Sequence, residues 1–311
     1  MGILSAGMLV LALTGAEGAG EPIRAEWKRV VEHAAFSPRD TAEDILYGGK
    51  MWISNAYHNG NVLVRDLWNS ADGTTWTLVN DATPYDGYSE MVVYQDKMWA
   101  IKGSVWTSTD GKTWTRVAET TPFGIRGYGE VVVWRDRIWQ LGTGADVWST
   151  ADGVTWTKEV DSAAYGDRSA AAVAVYRDKL WVMGGRFSKE NDPPEKGYKT
   201  MTTLDDVWCS DDGRAWVRVA DHAPWAPRHW FIAREYAGKL FILGGHDNVH
   251  SANFADTWCT EDGKTWRQVV SETCWTPRHE PTVYVFDGSL WVVGGNMWPL
   301  MNDVWRLTLS P

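Results

Sequence analysis

Short apolar runs separated by polar turns fill this chain from residue 25 onward, and one pair of runs keeps returning. A clear copy spans residues 206–219: a run holding Trp208, an Asp-Gly turn, and a second run holding Trp216. Short alternating runs read as half-buried strands. Asp-Gly between two of them predicts a two-residue hairpin whose glycine takes positive φ. The unit recurs at 66–79, 104–117, 146–159 and 256–269. A sixth copy is divided, with its first run at 303–305 and its second at 26–30. From Trp68, the first-run tryptophans follow at steps of 38, 42, 60, 50 and 47 residues, ending at Trp305. That period marks a propeller or solenoid and is too short for separate domains.

Two more apolar runs precede each copy. The first is exemplified by Glu130–Trp134 and 170–176; a turn such as Gln95-Asp96-Lys97 or Arg177-Asp178-Lys179 follows. The second opens on Trp52, Trp99, Trp139, Trp181, Phe241 or Trp291. Each cycle is then four antiparallel strands, a to d. Such a sheet cannot bury both faces alone, and radial packing solves the problem. The expected fold is all-β, a six-bladed β-propeller of four-stranded antiparallel blades. Its last blade would take strands a–c from residues 280–308 and strand d from residues 26–31, making 21–311 one domain.

The 22 tryptophans follow from this plan, since seventeen fall at matching positions on strands b, c and d. Each ring buries ~150–250 Å² when packed. Three b strands end in Gly-Gly, at 184–185, 244–245 and 294–295, before a variable loop and the later aromatic positions. In this the chain resembles kelch repeats over about residues 25–310, and the resemblance implies the same six-bladed ring. The segment from Ser108 to Trp114 is similar to the Asp-box turn of sialidase-type propellers, without the residue normally found between Asp and Gly.

The net charge of −10 argues against general nucleic-acid or anionic-membrane partners. Residues 1–20 combine an apolar core from Ile3 to Leu13 with small residues near Ala16 and Ala19. They predict a signal peptide, hence a secreted or periplasmic protein, although no Lys or Arg precedes the core. No other run is apolar enough to span a bilayer. Cys209, Cys259 and Cys274 make no disulfide framework and no Cys-x-x-Cys pair, and read as buried free thiols. His246, Asp247 and His250 have only loose metal-ligand spacing and read as surface residues, so no metal or cofactor is expected.

Strand direction puts the a–b and c–d turns on one face and the d–a and b–c loops on the other, where a rigid scaffold presents binding residues. Five d–a loops carry an arginine just before strand a: Arg39, Arg126, Arg168, Arg228 and Arg278; the second blade has Asp86 there. These predict a ring of cations at the mouth of the central channel. The alternative is that each arginine pairs with a carboxylate of its own or the next blade, with Glu43, Glu90 and Glu130 four positions on as the natural partners. Blades five and six repeat Trp225-Ala226-Pro227-Arg228-His229 and Trp275-Thr276-Pro277-Arg278-His279, with Trp230 and Trp298 nearby. Guanidinium, imidazole and indole together suit an anionic or sugar-like ligand; a hydrophobic plug over the channel is the other reading. The 186–204 loop is the longest b–c connection, a lid or a solvated loop.

Two functions follow as expectations. One is a binding module for an anionic small molecule, glycan or acidic peptide at the channel mouth. The other is an enzyme. Sialic acid mutarotases include exported six-bladed kelch propellers, which this chain resembles in blade count and expected export. That resemblance implies ring opening by acid–base catalysis, with His229, His279, Glu90 or Glu130 moving the proton and Arg228 and Arg278 holding a carboxylate.

Overall fold

The computed structural model describes residues 18–58, 62–126, 128–187 and 201–309. Among these, regular structure is all strand, and six antiparallel sheets stand around a central axis. Blade two shows the plain pattern: strands a to d are Glu90–Tyr94, Lys97–Ile101, Val105–Ser108 and Thr115–Ala118. Strand a is innermost. The ring closes as the split copy predicts: Thr282–Phe286, Ser289–Gly295 and Met301–Thr308 are completed by Glu26–Val31, with Trp27 opposite Leu307 and Arg29 opposite Trp305.

Closure goes one strand further than expected. Ala19–Arg24 runs parallel to Trp266–Val270 and adds a fifth strand to the outer edge of blade five. The N-terminal segment therefore straps two adjacent blades. Of the segment assigned to a signal peptide, residues 1–17 lie outside the described residues.

Tryptophans of strand b tie one blade to the next. Trp52, Trp99, Trp139, Trp181 and Trp291 each donate their indole N–H to the carbonyl ending strand a of the same blade. Each ring also lies against the c–d turn glycine of the following blade: Gly111, Gly153, Gly213, Gly263 and Gly73 respectively. A Cβ on Gly153 would sit 2.1 Å from Trp99, and its φ is +72°. Blade five carries Phe241 in place of the tryptophan, and the next blade is the one whose c–d turn is split between the chain ends. The missing indole matches the missing turn.

The turn itself is longer than a two-residue hairpin. Strand c ends at Ser70, strand d begins at Thr77, and side chains organise the connection. Ser70 Oγ accepts from Gly73 N at 2.8 Å, while Asp72 Oδ1 accepts from the N–H groups of Thr74 and Thr75 at 2.8 and 2.7 Å. Blades two to five repeat this with Asp110, Asp152, Asp212 and Asp262. Cys209 and Cys259 are buried free thiols; Cys274 is free but exposed, against expectation, because it lies on the d–a loop. Among the described residues no helix is long and apolar enough to cross a membrane.

Candidate functional site: the central channel and its mouth

The five arginines before strand a are not a ring of free cations. Arg39, Arg126, Arg168, Arg228 and Arg278 each form a two-pronged ion pair with the aspartate two residues before the strand-c tryptophan of the same blade: Asp66, Asp146, Asp206, Asp256 and Asp303. The Arg278 pair has N–O distances of 2.5 and 3.0 Å and is almost sealed, with side chains 0% and 3% exposed. The same aspartates accept the indole N–H of the strand-c tryptophan. In the last three blades the guanidinium also donates to the first carbonyl of the Gly-Gly pair, at Gly184, Gly244 and Gly294. Burial alone would raise Asp66 and Asp256, but the arginine overrides it and holds both below the usual carboxylate range. These arginines clasp strand a to strand c, which corrects the expectation that they face a ligand. Blade two confirms the pairing by losing both halves: Asp86 replaces the arginine and Ser104 replaces the aspartate, with Ser104 Oγ taking the Trp106 indole N–H at 3.0 Å.

Trp225 and Trp275 are core residues as well. Each is 1% exposed and meets the strand-d tryptophan of its blade edge-to-face, Trp225 with Trp266 and Trp275 with Trp27. Phe36, Tyr85, Phe123 and Tyr165 make the same contact in the other four blades. A sixfold contact is packing, so these two belong to the core rather than to the mouth.

The channel holds the chemistry. A cavity of about 440 Å³ runs between the a strands and is lined by Glu43, Glu90 and Glu130, together with Asp44, Arg234 and Glu280. Glu43, Glu90 and Glu130 occupy one repeat position in blades one to three. Ala172, Ile232 and Thr282 hold it in blades four to six. Burial, then mutual repulsion, pushes Glu43 and Glu90 well above the carboxylate range. Burial also lifts Glu130, to about 7, against the opposing pull of Arg234. Arg234 crosses from blade five to reach Asp44 of blade one at 2.6 Å. Glu90 and Glu130 line the cavity beside Glu43, while the five arginines before strand a pair with aspartates elsewhere.

Above this cluster lies a ring that sequence reading missed. Thr41, Tyr88, Tyr128, Ala170, Trp230 and Glu280, one per blade, all adopt left-handed φ between +48° and +61°. Six non-glycine residues at one repeat position in that region is unusual. Backbone bonds running round the ring hold it in three blades: Ala170 N to Tyr128 O, Trp230 N to Ala170 O, and Glu280 N to Trp230 O, at 2.9–3.1 Å. Five of the six, all but Tyr88, line the cavity. Glu280 is pushed well above the carboxylate range by burial and by nearby Asp40, itself raised to about 6 by burial.

On the blade five–six side, Trp230 stacks on His279 at 5.0 Å, and the Arg186 guanidinium lies 4.3 Å from the Trp230 ring centroid. His246 Nδ1 and His279 Nδ1 both donate to Asn253 Oδ1 at 2.7 Å, while His229 Nε2 bonds Asn248 Oδ1 at 2.9 Å. His229 is fully buried. Burial lowers both His229 and His279 to about 3, so they stay neutral. Neither is among the residues that line the cavity. His250 pairs with Asp247, whereas His246 turns to Asn253. Among the described residues no group of three or more His, Cys, Asp or Glu is placed to hold a metal. Trp298 is exposed on the blade-six b–c loop. Residues 188–200 of the long b–c loop lie outside the described residues.

Fold and channel together define a six-bladed β-propeller with carboxyls concentrated on one side of its axis. Residues 21–127, covering strand d of blade six and all four strands of blades one and two, match the family model for the DUF6242 beta propeller domain. The match spans less than half of the chain and is a similarity over that part. No curated protein matches the chain.

Proposed function

We propose that the protein is a kelch-like binding propeller that takes its ligand at the mouth of the central channel, between the carboxyls of blades one to three and the Trp230 wall. One observation carries this reading: Glu43, Glu90 and Glu130 stand on neighbouring blades in a space where ionised carboxyls are costly. A channel needed only for packing has no use for them, since blades four to six close the same position with Ala172, Ile232 and Thr282. Strongly raised carboxyl pKa values in a cleft are a hallmark of functional sites. The arginine clasps remove the main support for an acidic ligand, so the site favours neutral or cationic groups. Export stays part of the proposal, on the apolar run from Ile3 to Leu13.

The test is NMR of the Trp230 indole with three probes: arginine amide, methyl glucoside and N-acetylneuraminate. The cationic or the neutral probe should move that resonance, and Glu90→Gln with Glu130→Gln should abolish the shift. If none of the three moves it, the channel-mouth reading fails.

A second reading, sugar isomerisation by acid–base catalysis, has one specific support. Glu130 sits near neutral pH, where a general acid or base works best. Accelerated anomer equilibration of N-acetylneuraminate that survives His229→Ala and disappears in Glu130→Gln would favour it. Equal loss in both variants would count against it.

A further inference from the structure

We propose that the channel-mouth face docks a peptide segment of a partner protein, which inserts one basic side chain into the channel and lays apolar neighbours on the surrounding loops. The inference rests on the channel-mouth reading and names its ligand class.

Two independent observations lead there. The first is an apolar rim. Among the described residues nine large apolar side chains are exposed, and five stand on this one face: Leu63, Ile125, Tyr128, Val249 and Trp298. Single exposed apolar residues are ordinary, but their concentration round one opening marks an interaction site. On blades one to three two of these side chains cover glycines of neighbouring loops. Leu63 lies over Gly87, and Ile125 lies over Gly103. Between them Lys102 donates to Gly87 O at 2.7 Å, with its ammonium 5.3 Å from the Tyr88 ring centroid.

The second observation is the charge inside the rim. Asp40, Glu43, Asp44, Glu90, Glu130 and Glu280 face Lys102, Arg186 and Arg234, so six carboxyls stand against three cations. Those cations are engaged. Arg234 holds Asp44 and backbone carbonyls, Lys102 holds Gly87, and Arg186 lies against Trp230 and Tyr128. Glu280 lines the cavity, yet its Oε1 is closed to solvent and has no hydrogen-bond partner among the described residues. A guanidinium or ammonium entering here finds carboxyl acceptors. A free small cation would leave Ile125 and Val249 in water. An acidic segment would find carboxyls and no unengaged cation to pair with. A glycan would gain little from an aliphatic rim. A basic side chain flanked by apolar ones uses both features.

The test is calorimetry with an acetylated, amidated hexapeptide carrying one arginine between two leucines. Two controls replace the arginine by citrulline, its neutral isostere, or the leucines by serine. The arginine peptide should bind at least 10-fold more tightly than either. Binding should release protons and tighten from pH 6 to pH 8, as the channel carboxyls ionise against the incoming cation. Glu90→Gln/Glu130→Gln and Ile125→Ser should each weaken binding at least 10-fold, whereas Val154→Ser, on the opposite face, should not. Equal affinity for the arginine and citrulline peptides, or no binding by either, overturns the proposal. If arginine amide still moves the Trp230 resonance in that case, the channel-mouth reading survives and only the peptide inference fails.

Discussion

Blades four to six and blades one to three are built from one repeat and put it to different uses. In the later half, strand b ends in Gly-Gly, which lets the backbone press against the next blade. A Cβ on Gly184 would lie 2.8 Å from the Arg228 carbonyl oxygen. Gly185 N–H bonds that same carbonyl at 2.9 Å, and Gly245 N–H bonds Arg278 O at 3.1 Å. Small or apolar residues then close the start of strand a. The earlier half has no such pairs at these positions, carries a glutamate where the other half carries Ala172, Ile232 or Thr282, and loses the arginine clasp in blade two. The later half is closed by backbone contact and a clasp in every blade, whereas the earlier half keeps clasps only in blades one and three. The earlier half also leaves carboxyls facing a cavity. A repeat can thus supply both scaffold and site, and departures from the repeat locate the site better than the repeat does.

The strongest way to break this contrast is at the clasps. Asp303→Ala should cost about 3–5 kcal/mol, because it leaves Arg278 buried without its partner. Asp146→Ala should cost less, since the side chains of Arg126 and Asp146 are each 18% exposed. Urea unfolding of both variants checks the order; equal losses would mean that burial does not grade the clasps. Next, Gly153→Ala should destabilise by roughly 1–3 kcal/mol through overpacking against Trp99 and a positive φ. Gly48→Ala, whose Cβ would meet nothing within 4 Å, should show only the backbone part of that cost.

The acid half predicts a pH signature. Glu130 rises from 4.5 to about 7 on folding, so the native state holds a proton that the unfolded chain releases. Stability contributed by that proton is present below pH 4.5 and falls as pH rises towards 7. Glu130→Gln should flatten the decline. The aspartates of the clasps move the other way: Asp66 and Asp256 are lowered, so their stabilisation is lost only as pH falls below their ordinary value. Thermal unfolding from pH 3 to pH 8 separates the two windows. Smallest of all, Phe241→Trp should cost about 1 kcal/mol, because it enlarges a fully buried ring where no c–d turn glycine stands to receive the indole.

Blade number, strand order and ring closure were legible because the Trp-Asp-Gly-Trp unit is repeated in sequence and each copy must pack alike. The fate of the arginines was not. Five copies of Arg before strand a invite a functional reading, yet the partner aspartates stood in plain view, two residues before the strand-c tryptophan of the same blade. The informative signal was the paired change of Asp86 and Ser104 in blade two. Glu43, Glu90 and Glu130 are visible at one offset, but sequence leaves them open between partners of the arginines and, for Glu90 and Glu130, proton-moving groups, because it gives their spacing and not the side of the strand they face. The left-handed ring was out of reach: its residues, from Ala170 to Trp230, share a backbone conformation and no side-chain chemistry. The N-terminal fifth strand was hidden for a different reason, as a parallel edge strand adds no copy to the repeat.

The central claim is that the clasped arginines hold the fold while the channel carboxyls are kept at the expense of stability. Unfolding free energy at pH 8 of the triple variant Glu43→Gln/Glu90→Gln/Glu130→Gln tests it without knowledge of any ligand. The account predicts a rise over the wild type of about 1–3 kcal/mol, because neutral amides remove the cost of buried charge. A fall comparable to that of Asp303→Ala would contradict it and make the carboxyls part of the scaffold.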